Sequence, residues 1–198
     1  MMRKLGLLVG LMVLGWSSGA SAVPIQWTVA EGGNGHSYEL VVPGSNVTWT
    51  EAQADAQSRG GYLATLTSES ENEWVYQTFN LDDYSSFWHT GGGTGPALGA
   101  LWDIGSQSWE WVSGEVWSYE NWRAGQELPV PSNADWGMSY STLEGVPTPS
   151  ALWQHFPVND PVGHVSYVVE YPIPEPSTAI LVSLGLIGMS LRRRAKTS

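Results

Sequence analysis

The sequence predicts an α+β domain. Three observations lead there: two segments with matching helix-start signals lie near the front, short strand-like segments and turns fill the remainder, and no cysteine is present to staple a small loop-rich fold.

Ser37 to Val42 opens the domain as a strand, with Tyr38 and Leu40 to Val42 supplying β-favouring side chains before Pro43-Gly44 stops it. A helix follows, because Thr48 and Glu51 have capping-box spacing and Ala52, Ala54 and Ala56 favour helix until Gly60-Gly61. Tyr62 to Leu66 reads as a short strand. Ser68 and Glu71 repeat the capping spacing, and Glu69, Glu71 and Glu73 suit the positive end of a second helix over Glu69 to Phe79. Gly91-Gly92-Gly93-Thr94-Gly95 lacks the lysine of a phosphate loop and reads as a flexible connection. Trp109 and Trp111, two apart, share one face of an extended segment, opposite Glu110 and Val112. From Arg123 to Leu152 no helical or strand period is sustained, so this stretch is expected to be a long loop, functional or disordered. Ser166 to Tyr171 closes the domain as an alternating strand.

Several ordered motifs along this path carry a resemblance. Trp49-Thr50-Glu51-Ala52 through Gly60-Gly61-Tyr62-Leu63-Ala64-Thr65-Leu66 to Ser68-Glu69-Ser70-Glu71-Asn72, then Trp88-His89-Thr90-Gly91-Gly92, Trp109-Glu110-Trp111-Val112-Ser113-Gly114-Glu115, Tyr119-Glu120-Asn121-Trp122 and Tyr167-Val168-Val169-Glu170-Tyr171 resemble the C-type lectin-like domain over roughly Gly35 to Tyr171. The resemblance implies that first and last strands pair, that two helices flank small antiparallel sheets, and that a long loop region carries the ligand site. Calcium-dependent sugar binding in that family uses Glu-Pro-Asn or Gln-Pro-Asp in the loop and Asn-Asp after a tryptophan. Here those places hold Gly125-Gln126-Glu127-Leu128-Pro129 and Trp153-Gln154-His155. No cofactor is therefore expected. Should Ca2+ bind, Glu127, Asn133 and Asp135 remain as oxygen donors, with Asn159-Asp160 in a shifted register. Trp136 and Trp153 are candidate stacking platforms for a sugar ring, and equally candidates for the core. The family's cysteines are absent, and Ala56 takes the place of one of them.

Both ends read as addresses. Arg3-Lys4, the apolar run Leu5 to Trp16 and Ala20-Ser21-Ala22 form a signal peptide over 1–22, so the mature chain is expected to begin at Val23. Pro174-Glu175-Pro176, an apolar stretch from Ala179 to Leu191 and Arg192-Arg193-Arg194 closely resemble the PEP-CTERM sorting signal, which an exosortase is thought to process. As a helix those 13 apolar residues cover about 20 Å against roughly 30 Å of bilayer hydrocarbon, a short transmembrane segment suited to transient anchoring. The arginines would hold the tail's end in the cytoplasm. Residues 23–173 then form one lectin-like domain and 174–198 the sorting tail, giving an exported protein of the cell envelope or extracellular space.

Within 23–173 only Arg59 and Arg123 oppose 18 acidic residues, a formal charge of 2 − 18 = −16. Such a surface repels phosphate backbones and excludes nucleic acid as a partner. His36, His89, His155 and His164 have no zinc-type spacing, and the carboxylates at 69, 71, 73, 82 and 83 read as helix-start and surface groups. These readings favour a non-catalytic recognition module binding a glycan or an extracellular protein through the 123–152 loop, with signal peptidase, exosortase and, through the tail, the membrane as processing partners. The alternatives are a structural exopolysaccharide or biofilm matrix protein without small-ligand binding and, less favoured, a small hydrolase.

Overall fold

The computed structural model describes residues 23–89, 93–129, 134–144 and 146–173. The expected signal peptide, the sorting tail and Asn133 lie outside these. β1 (Ile25–Gln26) pairs antiparallel with β2 (Ser37–Val41), and β2 pairs with the closing strand β8 (Tyr167–Tyr171) in a register running from Ser37↔Tyr171 to Val41↔Tyr167. The two ends of the domain therefore meet in one sheet, as the resemblance implied.

Helix α1 (Trp49–Ser58) starts as expected: Thr48 Oγ1 accepts from the Glu51 N–H, and the Glu51 carboxylate accepts from the Thr48 N–H at 2.8 Å. Its inner face buries Trp49, Ala52 and Ala56. Strand β3 (Tyr62–Leu63) is shorter than the predicted Tyr62 to Leu66, because the Thr65 N–H donates to the Glu170 carboxylate (2.8 Å) instead of to a neighbouring strand. Helix α2 (Glu69–Thr78) agrees within one residue. A short turn of helix, α3 (Tyr84–Phe87), leads to the long strand β4 (Thr94–Asp103), which pairs with β5 (Ser108–Trp111).

Two expectations are corrected here. Thr94 and Gly95, read as part of a flexible connection, begin a largely buried strand of the domain. Its glycines hide the strand pattern, but they answer a packing demand: a Cβ on Gly99 would lie 2.0 Å from the Leu63 carbonyl oxygen, so only glycine lets β4 approach β3. The 123–152 stretch is likewise not one long loop. It contains β6 (Trp136–Thr142) and the start of β7 (Pro149–Pro157), which form a seven-pair antiparallel ladder with a register shift between Tyr140 and Ser141. Serines and prolines masked it, and burial on both faces of β6 removes the polar alternation that would have announced it.

The main path of the sheet runs β1-β2-β8-β4-β6-β7, with β3 added to β8 and β5 to β4. Seven of the eleven tryptophans of 23–173 are buried: Trp27, Trp49, Trp88, Trp102, Trp109, Trp111 and Trp153. Around Trp153, ring centroids lie 5.7 Å away for Trp111, 5.8 Å for Trp122 and 5.2 Å for Tyr119, while Trp109 and Trp122 are 4.9 Å apart. At ~0.5–1.5 kcal/mol per aromatic pair beyond area burial, four such pairs match one or two disulfides at ~2–4 kcal/mol each. Indole packing can thus stand in for the missing bridges.

Candidate functional site

The irregular segment left between β5 and β6 is folded onto the outer strand of the sheet. The backbone around Arg123 runs alongside β7, with the Arg123 N–H donating to the Trp153 carbonyl and the Trp153 N–H to that of Asn121, both at 2.8 Å. A turn follows in which Gly125 takes a φ of 77° and the Gln126 N–H returns to the Arg123 carbonyl (3.0 Å). Two side chains then pin the next residues from below: the Trp109 indole N–H donates to the Glu127 carbonyl (2.8 Å), and His155 Nδ1 lies 3.0 Å from the Gln126 carbonyl. The backbone of Glu127 is fixed while its carboxylate is exposed, one oxygen accepting from the Gly125 N–H at 3.3 Å.

Trp136 opens β6 and stands edge-to-face on His155, with ring centroids 4.8 Å apart at 87°. The pair forms because the β6–β7 register sets Met138 opposite His155, bringing the histidine within reach of Trp136 two residues earlier on the strand. Asp135 precedes Trp136 and is exposed, its carbonyl accepting from the Val158 N–H at 3.3 Å. The structure therefore gathers Gln126, Glu127, Trp136 and His155, with Asp135 next to Trp136 in the chain, on the β7 edge of the domain.

Trp153 does not belong to this group. Its indole is fully buried and donates to Asn72 Oδ1 at 2.9 Å, so it cannot meet a ligand, and the stacking role considered for it is corrected to a core role. His155 was missed as a site residue because a lone histidine carries no spacing signal; the tertiary pairing with Trp136 supplies it. Among the described residues no three His, Asp or Glu side chains gather to hold a metal ion. Glu127 and Asp135 therefore belong to no such group with other described residues.

A second constellation, buried between β2, α2 and β8, was also unexpected. Glu71, read as a helix-start surface group, is 2% exposed: one oxygen accepts from Tyr38 OH (2.5 Å) and Asn34 Nδ2 (2.7 Å), the other from the N–H and hydroxyl of Thr67. Glu170 accepts from the Thr65 hydroxyl and N–H and meets His36 Nδ1 at 2.5 Å. Burial raises the Glu71 carboxyl above its ordinary range, against the opposing bond from Tyr38. The hydrogen bond to Glu170 raises the His36 imidazole. Every carboxylate oxygen in this cluster is satisfied from within the domain, which makes it a polar seam of the core.

A family model described as the PEP-CTERM protein-sorting motif matches residues 172–194. C-type lectin 16 of Crotalus adamanteus is 32% identical over 123 residues, which cover 59% of this chain and 69% of that protein. Halomucin of Haloquadratum walsbyi is 32% identical over 150 residues, 70% of this chain, and the perlucin-like protein of Mytilus galloprovincialis is 31% identical over 91 residues. The chain spans 1% of the length of halomucin and 49% of the perlucin-like protein. Among solved structures, a calcium-independent type II antifreeze protein superposes with a TM-score of 0.52 at 17% identity, covering 78% of this chain and 97% of that one, a likeness of fold alone. The fold, the paired ends and these relatives together place the chain in the C-type lectin family, as a lectin-like module with a PEP-CTERM export and sorting motif.

Proposed function

We propose that this chain is a non-catalytic recognition module that binds carbohydrate at the β7 edge, through Trp136, His155, Glu127, Asp135 and Gln126, with Asn133 of the adjoining segment. The half-exposed indole of Trp136, packed edge-to-face on His155 with the exposed Asp135 next to it in the chain, carries this reading. An indole offers a flat apolar face for the C–H face of a sugar ring, and carboxylates and amides accept or donate to its hydroxyls. In this reading the mature domain spans 23–173, signal peptidase frees its front, and an exosortase acts on the tail after a transient stay in the membrane. Bacterial envelope or exopolysaccharide is then its setting.

The test is a glycan array run in calcium and again in chelator, with the wild type and Trp136→Ala. The expected result is a glycan bound equally in both buffers and lost in the variant. No bound glycan in either buffer would refute it, and would favour the second reading, a structural matrix protein whose formal charge of −16 keeps it solvated among polymers.

A further inference from the structure

We infer that the β1 edge of the domain is a lipid-facing surface, seated on the headgroups of the bilayer for as long as the sorting tail is inserted. Three observations meet at this edge. The first is exposed apolar side chains at both ends of the domain: Val23 is 82% exposed, Val29 73%, Ile25 43% and Ile173 50%. Val29 and Ile173 are neighbours across the fold, since a Cβ built on Gly35 would lie 2.6 Å from Ile173 Cδ1 and 3.8 Å from Val29 Cγ2, while Val23 and Ile25 belong to the same outer end of the sheet through β1.

The second observation is tether length. Only Pro174-Glu175-Pro176-Ser177-Thr178 separates Ile173 from the apolar stretch that begins at Ala179. Six Cα steps reach at most about 20 Å at ~3.3–3.6 Å per residue. With that stretch in the hydrocarbon, Ile173 stays within about 20 Å of it, a distance that keeps this edge in reach of the interfacial layer. The apolar patch is thus at the one place on the domain that the chain itself delivers to the bilayer.

The third is charge. Residues 23–36 carry Glu31 alone of the 18 acidic residues of 23–173. Cleavage before Val23 would add an ammonium group there, still mostly protonated at neutral pH with a pKa of about 8. Elsewhere the domain is acidic and avoids anionic headgroups, so the β1 edge is both the tethered and the tolerated contact. The sheet order sets β1 and β7 at opposite ends of the strand path, about 24 Å apart at ~4.8 Å per strand step. Docking by the β1 edge therefore turns the β7 edge away from the membrane. This inference stands whether or not the β7 edge binds a glycan.

The chain has no cysteine, so single labels are unambiguous. Val29→Cys and, as the distal control, Leu128→Cys would each carry an environment-sensitive nitrobenzoxadiazole dye on the full chain after signal-peptide removal, reconstituted through its tail into phosphatidylcholine–phosphatidylglycerol vesicles. With brominated acyl chains in the lipid, emission from the Val29 site is expected to fall at least twofold and that from the Leu128 site to stay unchanged. Adding Ile25→Asp and Ile173→Asp should abolish the quenching while leaving the thermal melt in place. Equal quenching at both sites, or none at either, would overturn the inference. So would a Val29 site shielded from aqueous iodide but not quenched by brominated lipid, which would mean that the tail or a second copy covers this edge.

Discussion

Acidification tests the packing around His164 in quantitative terms. This imidazole is fully buried: its backbone N–H donates to the Val47 carbonyl, its Nδ1 is 3.3 Å from the Gly95 carbonyl, its ring lies 4.8 Å from that of Phe156, and its Nε2 has no partner. Burial strips water from the imidazolium and drives the pKa down to about 4 from the ordinary 6.5, although Asp160 pulls it upward. Because the folded value is the lower one, the unfolded chain takes up the proton first. The stability that neutral His164 contributes is full above about 6.5 and is lost as pH falls towards 4. At ~1.36 kcal/mol per pKa unit over roughly two and a half units, this single group removes about 3 kcal/mol between pH 7 and pH 4. His36 and Glu71, both raised, act in the opposite sense, so the reading must be a difference between proteins. Urea titrations followed by tryptophan fluorescence at pH 7, 5.5 and 4 should show the wild type losing about 3 kcal/mol relative to His164→Phe, equivalent to ~6–12 °C of melting temperature for a domain of this size. Parallel pH profiles for the two proteins would refute the reasoning, since they would mean that the buried ring never has to charge on unfolding.

The other expectations concern packing and the polar seam. Trp153→Ala should cost about 3–5 kcal/mol by leaving a cavity at the centre of the indole cluster, whereas Trp136→Ala should move the melt by only a few degrees; chemical denaturation of both variants separates core from surface. Gly99→Ala should destabilise by at least ~1–3 kcal/mol, because its methyl would press on the Leu63 carbonyl and force β4 away from β3, and a differential scan that shows no change would refute that contact. The raised pKa of His36 means its pairing with Glu170 is fully present below about pH 6.5 and is lost as pH rises through the folded value. His36→Gln should flatten that part of the stability profile, as melting scans from pH 6 to 9 would show.

The early half of the fold was legible because its signals are local. A capping box at Thr48 and Glu51, paired glycines after Ser58 and a second capped segment at Ser68 each act within four residues, and both helices stand where those signals set them. Capping spacing alone could not say where a carboxylate goes. Glu51 reaches back to the N-cap N–H of Thr48, but Glu71, at the same spacing, turns to Thr67, Tyr38 and Asn34 and is buried. That difference depends on what packs above the helix end, which is set by β2, 30 residues earlier in the chain.

Chemistry at the candidate site followed the same division. Glu127, Asp135 and Trp136 could be named from their chain positions, and the sorting motif, the family resemblance and the excess of acid were visible in the order of residues alone. Tertiary pairing decided the remainder. It buried Trp153, drew His155 against Trp136, and made strands of glycine-, serine- and proline-rich segments whose patterns are silent. It also joined both ends of the domain in one apolar edge. Sequence fixes what each residue is able to do and what its close neighbours in the chain permit; solvent access and long-range partners arise only when strands far apart in the chain share hydrogen bonds, and those two quantities separate a core indole from one that meets a ligand.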